Sequence, residues 1–180
     1  MVTLETSRGP IIIRPTRETD AEAYRELRIE ALSNAPTSFG SDVASAEALT
    51  LEQWRERLIS IDMRLPLVAE VARALVGTTV FRREEGAKVQ HQAYVNGVYI
   101  KPAWRGLGIL DAFFDLGLAW ARSQQATIVK LSVTATNTPA IRTYTRLGFS
   151  VYGVEPDVLW WEGRYYDELL MYRRLPTDDR

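Results

Sequence analysis

The sequence predicts an α/β fold, a central mixed β-sheet flanked by helices, and three observations lead there. Apolar and β-branched runs of strand length alternate with segments of helical spacing in the order β-α-α-β-β-β-α-β-α-β-β. Near the middle, a strand-like run passes through a glycine-bearing loop straight into a helical pattern. The 180 residues also suffice for one buried core without metal or disulfide staples.

Ile11, Ile12 and Ile13, followed by Pro15, read as a first strand. Thr19 to Glu22 fit a capping box, opening a helix to about Leu32 with Tyr24, Leu27 and Ala31 on one face. Asn34 to Gly40 interrupt it, and a second capping box, Thr50 to Gln53, starts a helix with Leu51, Trp54 and Leu58 at helical spacing. Leu67 to Val71 and Leu75 to Phe81 form a predicted hairpin turning at Ala72 and Arg73. Glu84 to Gly86 make a solvated turn, and Ala93 to Ile100 read as the next strand, ended by Pro102, with Gly97 marking a bulge.

Leu110, Phe113, Phe114, Gly117 and Ala121 share the apolar face of a helix between Gly108 and Ser123. Ile128 to Val133 read as a buried strand, and Thr138 with Pro139 starts a short helix that Gly148 stops. Strands around Ser150 to Val154 and Glu168 to Arg173 close the chain, with Trp160, Trp161 and Gly163 in a loop between them. No repeat or linker divides the pattern, so residues 1–180 are expected to form a single domain.

Composition narrows the chemistry. Lys and Arg number 22 against 23 Asp and Glu, so no general attraction to nucleic acid or an anionic membrane is expected. Neither a signal peptide nor an apolar stretch of membrane-spanning length is visible, and a cytoplasmic location is the expectation. Cysteine is absent and His91 is the sole histidine, which removes thiol nucleophiles and thiolate metal sites; no metal is expected. His91, between Gln90 and Gln92, reads as a solvated surface residue.

The segment from Val98 to Leu110 carries the most chemistry. A loop with Gly106 and Gly108 opens into a helix, so backbone N–H groups and the positive helix end converge on one point suited to a pyrophosphate. Arg105 adds a cation beside it. Two glycines after a strand also occur in plain turns. A dinucleotide fingerprint needs a third glycine where Asp111 stands, and a P-loop needs a Gly-Lys-Ser/Thr that does not follow.

Arg105-Gly106-Leu107-Gly108-Ile109 resembles the R-x-x-G-x-G/A coenzyme A loop of the GNAT superfamily of N-acetyltransferases, with Leu110 at the last small position. Asn137 to Phe149 is similar to the family's N-x-x-A-x-x-x-Y-x-x-x-G-F segment, every marked residue being present. The resemblance extends from the first strand to Met171. It implies a GNAT fold with a V-shaped splay between the fourth and fifth strands, where acetyl-CoA lies as co-substrate. It further implies that main-chain groups of Val98, Tyr99 and Ile100 hold the acetyl and pantetheine amides, and that Arg105 to Leu110 cradle the pyrophosphate.

By the same resemblance, Asn137 contacts the pantetheine arm, an alternative being a helix-start role. Tyr144 is the general acid toward the CoA thiolate, an alternative being core packing with Ala140 and Leu147. Arg146 either reaches a coenzyme phosphate or is a solvated charge. No carboxylate stands between Gln92 and Ile100, leaving Tyr94 and Asn96 as polar candidates for a water relay, with Glu155, Asp157, Asp167 and Glu168 elsewhere. Trp160 and Trp161 are expected either as an aromatic wall of the acceptor site or in the core.

The expected reaction is acetyl transfer to a primary amine of a small molecule or peptide within a ternary complex, and family habit admits a homodimer. An acyl-CoA-binding sensor without turnover is the alternative, and a nucleotide-dependent oxidoreductase a third reading.

Overall fold

A computed structural model describes residues 1–176, and in it the chain opens with a hairpin of β1 (Val2–Thr6) and β2 (Gly9–Pro15). The sequence pattern gives only the second of these. β1 buries almost nothing, so no apolar alternation marks it. The strands expected as fourth and fifth are therefore β5 (Gln92–Ile100) and β6 (Ile128–Thr134).

β3 (Arg64–Val71) and β4 (Ala74–Arg83) pair antiparallel through a two-residue turn. Ala72 and Arg73 both take positive φ there, 46° and 71°, the conformation whose twist matches the flanking strands. With β7 (Ser150–Trp161) and β8 (Arg164–Arg174), the strands make one sheet in the order β1-β2-β3-β4-β5-β6-β8-β7. All neighbours are antiparallel except β5 and β6. Trp160 and Trp161 thus stand on a strand rather than in a loop. Both are exposed, outside the core, and neither lines the main cavity described below.

α1 (Ala21–Asn34) begins differently from the capping box expected at Thr19. The Asp20 carboxylate takes the Arg17 N–H at 2.7 Å and both Nη atoms of buried Arg14 at 2.7 and 2.8 Å. The carboxylate closes a 3-10 turn over Glu18–Asp20, and α1 follows it with no side-chain cap of its own. α2 (Val43–Glu47), capped by Asp42, is an addition to the expected elements. α3 (Leu51–Leu58) has the predicted reciprocal Thr50 and Gln53 cap.

α1, α2 and α3 cover one face of the sheet, around Leu27, Trp54, Leu58 and Val68. α4 (Ile109–Ser123) and α5 (Thr138–Arg146) cover the other, around Phe81, Phe113, Phe114 and Phe149. Gly117 lets α4 approach the sheet closely, since a Cβ there would lie 2.1 Å from the Phe81 ring. Among the described residues, no helix is long and apolar enough to cross a membrane.

Candidate active site

The site is made by two strands that part. β5 and β6 pair only from Gln92 and Ile128 to Tyr94 and Lys130, after which each continues without the other. β6 keeps β8 along its whole length, so its course is fixed and the gap widens between Val95–Ile100 and Leu131–Thr134. One edge of β5 thereby carries backbone groups that no strand satisfies.

A bulge directs those groups. Opposite Thr79, β5 inserts an extra residue, with Asn96 facing Val80 and Tyr99 facing Thr78, and Gly97 takes φ +62°. Side-chain alternation changes phase across it: Ala93 and Val95 enter the core under α4, whereas Tyr99 enters the core under α1. The Tyr99 hydroxyl donates to Glu30 at 3.0 Å and accepts from Asn34 at 3.1 Å, tying the strand to α1. Glu30 also pairs with Lys101 at 2.8 Å.

A cavity of about 1100 Å³ passes through the gap, lined from both faces of the sheet. On the α4 side it meets the glycine loop. Gly106 and Gly108 have φ +74° and +80°, and a Cβ on either would project into open space. The Arg105 N–H bonds the Pro102 carbonyl and the Ala112 N–H bonds the Gly108 carbonyl. The N–H groups from Gly106 to Asp111 between them have no backbone acceptor and stand at the positive end of α4. Unpaired donors at the positive end of a helix are suited to an anion.

Most of the sequence-predicted residues meet here, with three differences. Val98, Ile100, Gly106, Gly108, Ile109 and Leu110 line the cavity, but the Leu107 side chain turns into the neighbouring core. Arg105 also lines it, with Nε bonded to the Ile100 carbonyl at 3.0 Å, so that it braces the loop. Arg146 is paired with Asp111, Nη1 to Oδ1 at 2.5 Å and Nη2 to Oδ2 at 3.0 Å. The Arg146 guanidinium holds the Asp111 carboxyl below its ordinary range.

Asn137 is the cap of α5, its Oδ1 accepting the Ala140 N–H at 3.3 Å, and it also lines the cavity. Tyr144 combines both of its expected roles in placement. It borders the cavity while its ring packs on Phe114 and Phe149, at centroid distances of 5.8 and 6.3 Å. Burial pushes its phenol well above the usual value.

Of the carboxylates considered on β7 and β8, Glu168 alone lines the cavity. It is half-buried on β8, opposite Thr134 of β6. Asn96 borders the cavity as well, while Tyr94 lies away from it between Arg82 and Lys130. The segment after α1 closes the other side, fastened where the Thr134 hydroxyl donates to the Thr37 carbonyl. Arg28, Trp54 and Arg57 also face this end. Sequence reading passes over them as members of amphipathic helices, and nothing in the local pattern distinguishes them.

Known proteins resemble this chain in sequence and in fold. A model described as the acetyltransferase (GNAT) family matches residues 24–149. The mycothiol acetyltransferase of Thermobispora bispora is 33% identical over 140 residues, 76% of this chain and 45% of that protein. The chain spans less than half the length of the mycothiol acetyltransferases it matches. The L-amino acid N-acetyltransferase AaaT of Escherichia coli is 24% identical over 167 residues, 91% of this chain and 97% of that protein. Among solved structures, yncA from Salmonella typhimurium, with its cofactor acetyl-CoA, superposes at a TM-score of 0.76. It covers 94% of this chain and 96% of that one at 20% identity, a likeness of fold.

Proposed function

The chain belongs to the acetyltransferase (GNAT) family, and from that membership we propose that it transfers an acetyl group from acetyl-CoA to a primary amine by direct attack in a ternary complex. The observation that carries the reading is the through-sheet cavity with unpaired helix-end donors at one end and a buried tyrosine beside the gap. We take the described residues as one catalytic domain, which the single continuous sheet supports.

Bound acetyl-CoA supplies an activated thioester. The N–H groups from Gly106 to Asp111 would hold the pyrophosphate, and the open Cβ positions of Gly106 and Gly108 leave room for it. The free edge of β5 at Val98 and Ile100 would bond the pantetheine amides as an added strand does. Asn137, its Oδ1 occupied as a helix cap, has its amide hydrogens available to the same arm. Leu110, in the first turn of α4, lines the cavity and would lie beside the coenzyme.

The amine nitrogen bonds to the acetyl carbonyl carbon, the C–S bond breaks, and its electron pair leaves on sulfur. Tyr144 would give that sulfur its proton. An ordinary phenol, with a pKa of about 10, is a weak donor to a thiolate of about 8.5. The apolar ring of Phe114 and Phe149 raises Tyr144 further, but the same surroundings destabilise a thiolate and raise its proton affinity too. Glu168, directly or through water, would take the proton that the attacking nitrogen loses. The sequence has no cysteine to carry an acyl-thioenzyme, which favours direct transfer.

The test is acetyl-CoA turnover against a broad panel of amines, read by free thiol. Thiol release that depends on the amine is the expected result. Tight CoA binding without release would return the sensor reading.

A further inference from the structure

The α1 side of the cavity holds donors with nothing to donate to. Arg28 Nη1, Trp54 Nε1 and Arg64 Nε are buried and make no hydrogen bond, and all three residues line the cavity. Trp54 is 3% exposed. A buried donor left unmatched is costly, and its cost falls when a neighbouring acceptor arrives.

The charges agree. Arg28 lies over the Phe39 ring at 4.6 Å and Arg57 over the Trp54 ring at 5.4 Å, and among the described residues neither guanidinium has an ion-pair partner. Desolvation, and in smaller part the charge of Arg57, lower the Arg28 pKa against a favourable influence of Tyr24. Glu168, which also lines the cavity, makes no pair with either. Arg28 is thus largely desolvated beside a like charge, the more exposed Arg57, without a counter-charge among the described residues. Resting this way is unfavourable for the free protein and becomes favourable when an anion arrives.

Position sets what the anion is attached to. A Cβ built on Gly97 would lie 3.7 Å from Arg28 Nη1, so the guanidinium stands beside the bulge on the free edge of β5. We propose that Arg28 and Arg57, with the Trp54 indole N–H, form a carboxylate-binding subsite that selects acceptors whose carboxylate lies one carbon or so from the attacking amine. The proposal rests on the acetyl-transfer reading of the same cavity. A planar carboxylate offers two acceptors to a planar guanidinium, the arrangement Arg28 lacks in the free protein. Anchored there, a short amino acid would present its nitrogen toward the gap between β5 and β6.

The probes are the common α-amino acids, each paired with its carboxamide, and 1-aminoethylphosphonate set against alanine. For the best acid, kcat/KM should exceed that of its amide by about a hundredfold. Arg28→Gln and, separately, Arg57→Gln should shrink that ratio toward unity, and Arg28→Lys should restore part of it. A CoA titration of each variant shows whether the coenzyme end is intact. A merely structural role would lower acid and amide alike and leave the ratio unchanged, which would overturn the proposal. So would an amide as good as its acid, or a phosphonate preferred over the carboxylate.

If no amine releases thiol, the acetyl-transfer reading fails and the subsite is judged separately, by calorimetry of the same acids and amides on CoA-loaded protein. Binding of acids over amides that Arg28→Gln abolishes would sustain it. Equal or absent binding would end it.

Discussion

Arg146 and Asp111 face each other across the coenzyme end of the cavity, guanidinium to carboxylate through two hydrogen bonds of 2.5 and 3.0 Å. Asp111 belongs to the first turn of α4, beside the N–H groups that would receive a pyrophosphate. A bare carboxylate there would repel the coenzyme, and Arg146 masks it. Arg146→Ala should therefore weaken CoA binding, while Asp111→Asn should tighten it, each by roughly several-fold because both groups are solvent-screened. Calorimetry decides. An unchanged affinity in both would make the pair a surface contact only.

Tyr144→Phe removes a proton and keeps the ring against Phe114 and Phe149. kcat should fall by about a hundredfold or more, with CoA affinity and melting temperature little changed. Because burial raises the phenol pKa, the protonated acid persists past the ordinary phenol value of about 10. The wild-type rate should thus show no falling limb there from loss of Tyr144's proton.

Glu168→Gln should lower kcat most where the acceptor arrives as an ammonium ion. Above the amine's own pKa the nitrogen is already free and the deficit should narrow. A pH series of the variant-to-wild-type ratio measures this. A ratio that stays flat with pH would reassign Glu168 to positioning.

Gly117→Ala tests the close approach of α4. Alanine gains up to about 1 kcal/mol of helix propensity, but its methyl would overlap the Phe81 ring. Overpacking should win, with a net loss of about 1–3 kcal/mol seen as a lower denaturant midpoint. Adding Phe81→Leu should recover part of it.

Arg14, 5% exposed, is held by Asp20 and Glu70, and Asp20→Asn should cost about 3 kcal/mol, the lower end for a broken buried pair because Glu70 remains. Burial raises the Asp20 carboxyl, yet the hydrogen bonds from Arg14 and the Arg17 N–H outweigh it and leave the folded pKa below its ordinary value. The pair's stability is accordingly full above the unfolded carboxyl pKa of about 3.9 and is lost as pH falls through the lower folded value. Acid unfolding of Asp20→Asn should lack that contribution.

The proposed coenzyme half of the site is more legible in the sequence than the proposed acceptor half, and for a physical reason. Gly106, Gly108, Asn137 and Tyr144 act through local geometry, a loop entering a helix and a helix cap, which neighbouring residues encode. Arg28, Trp54 and Glu168 matter because α1, α3 and β8 converge on one gap, and no window of sequence contains that meeting. β1 escapes reading because its side chains are mostly exposed, and Thr19 misleads because the acceptor at Asp20 serves a residue six positions earlier. The exposed aromatic hairpin of Trp160 and Tyr165, with ring centroids 4.5 Å apart, looks from composition like core, yet its side chains face solvent.

The parting of β5 and β6 also bears on the order in which reactants come and go. A cavity lined from both faces of a sheet, by α4 and α5 on one side and α1 and α3 on the other, would give each reactant its own mouth. Neither reactant then has to pass through the other's berth. Coenzyme and amine can load in either order, and acetylated product can depart while the spent thiol remains. Initial-rate lines at several fixed amine concentrations should intersect rather than run parallel, and each product should inhibit chiefly against the reactant that shares its mouth.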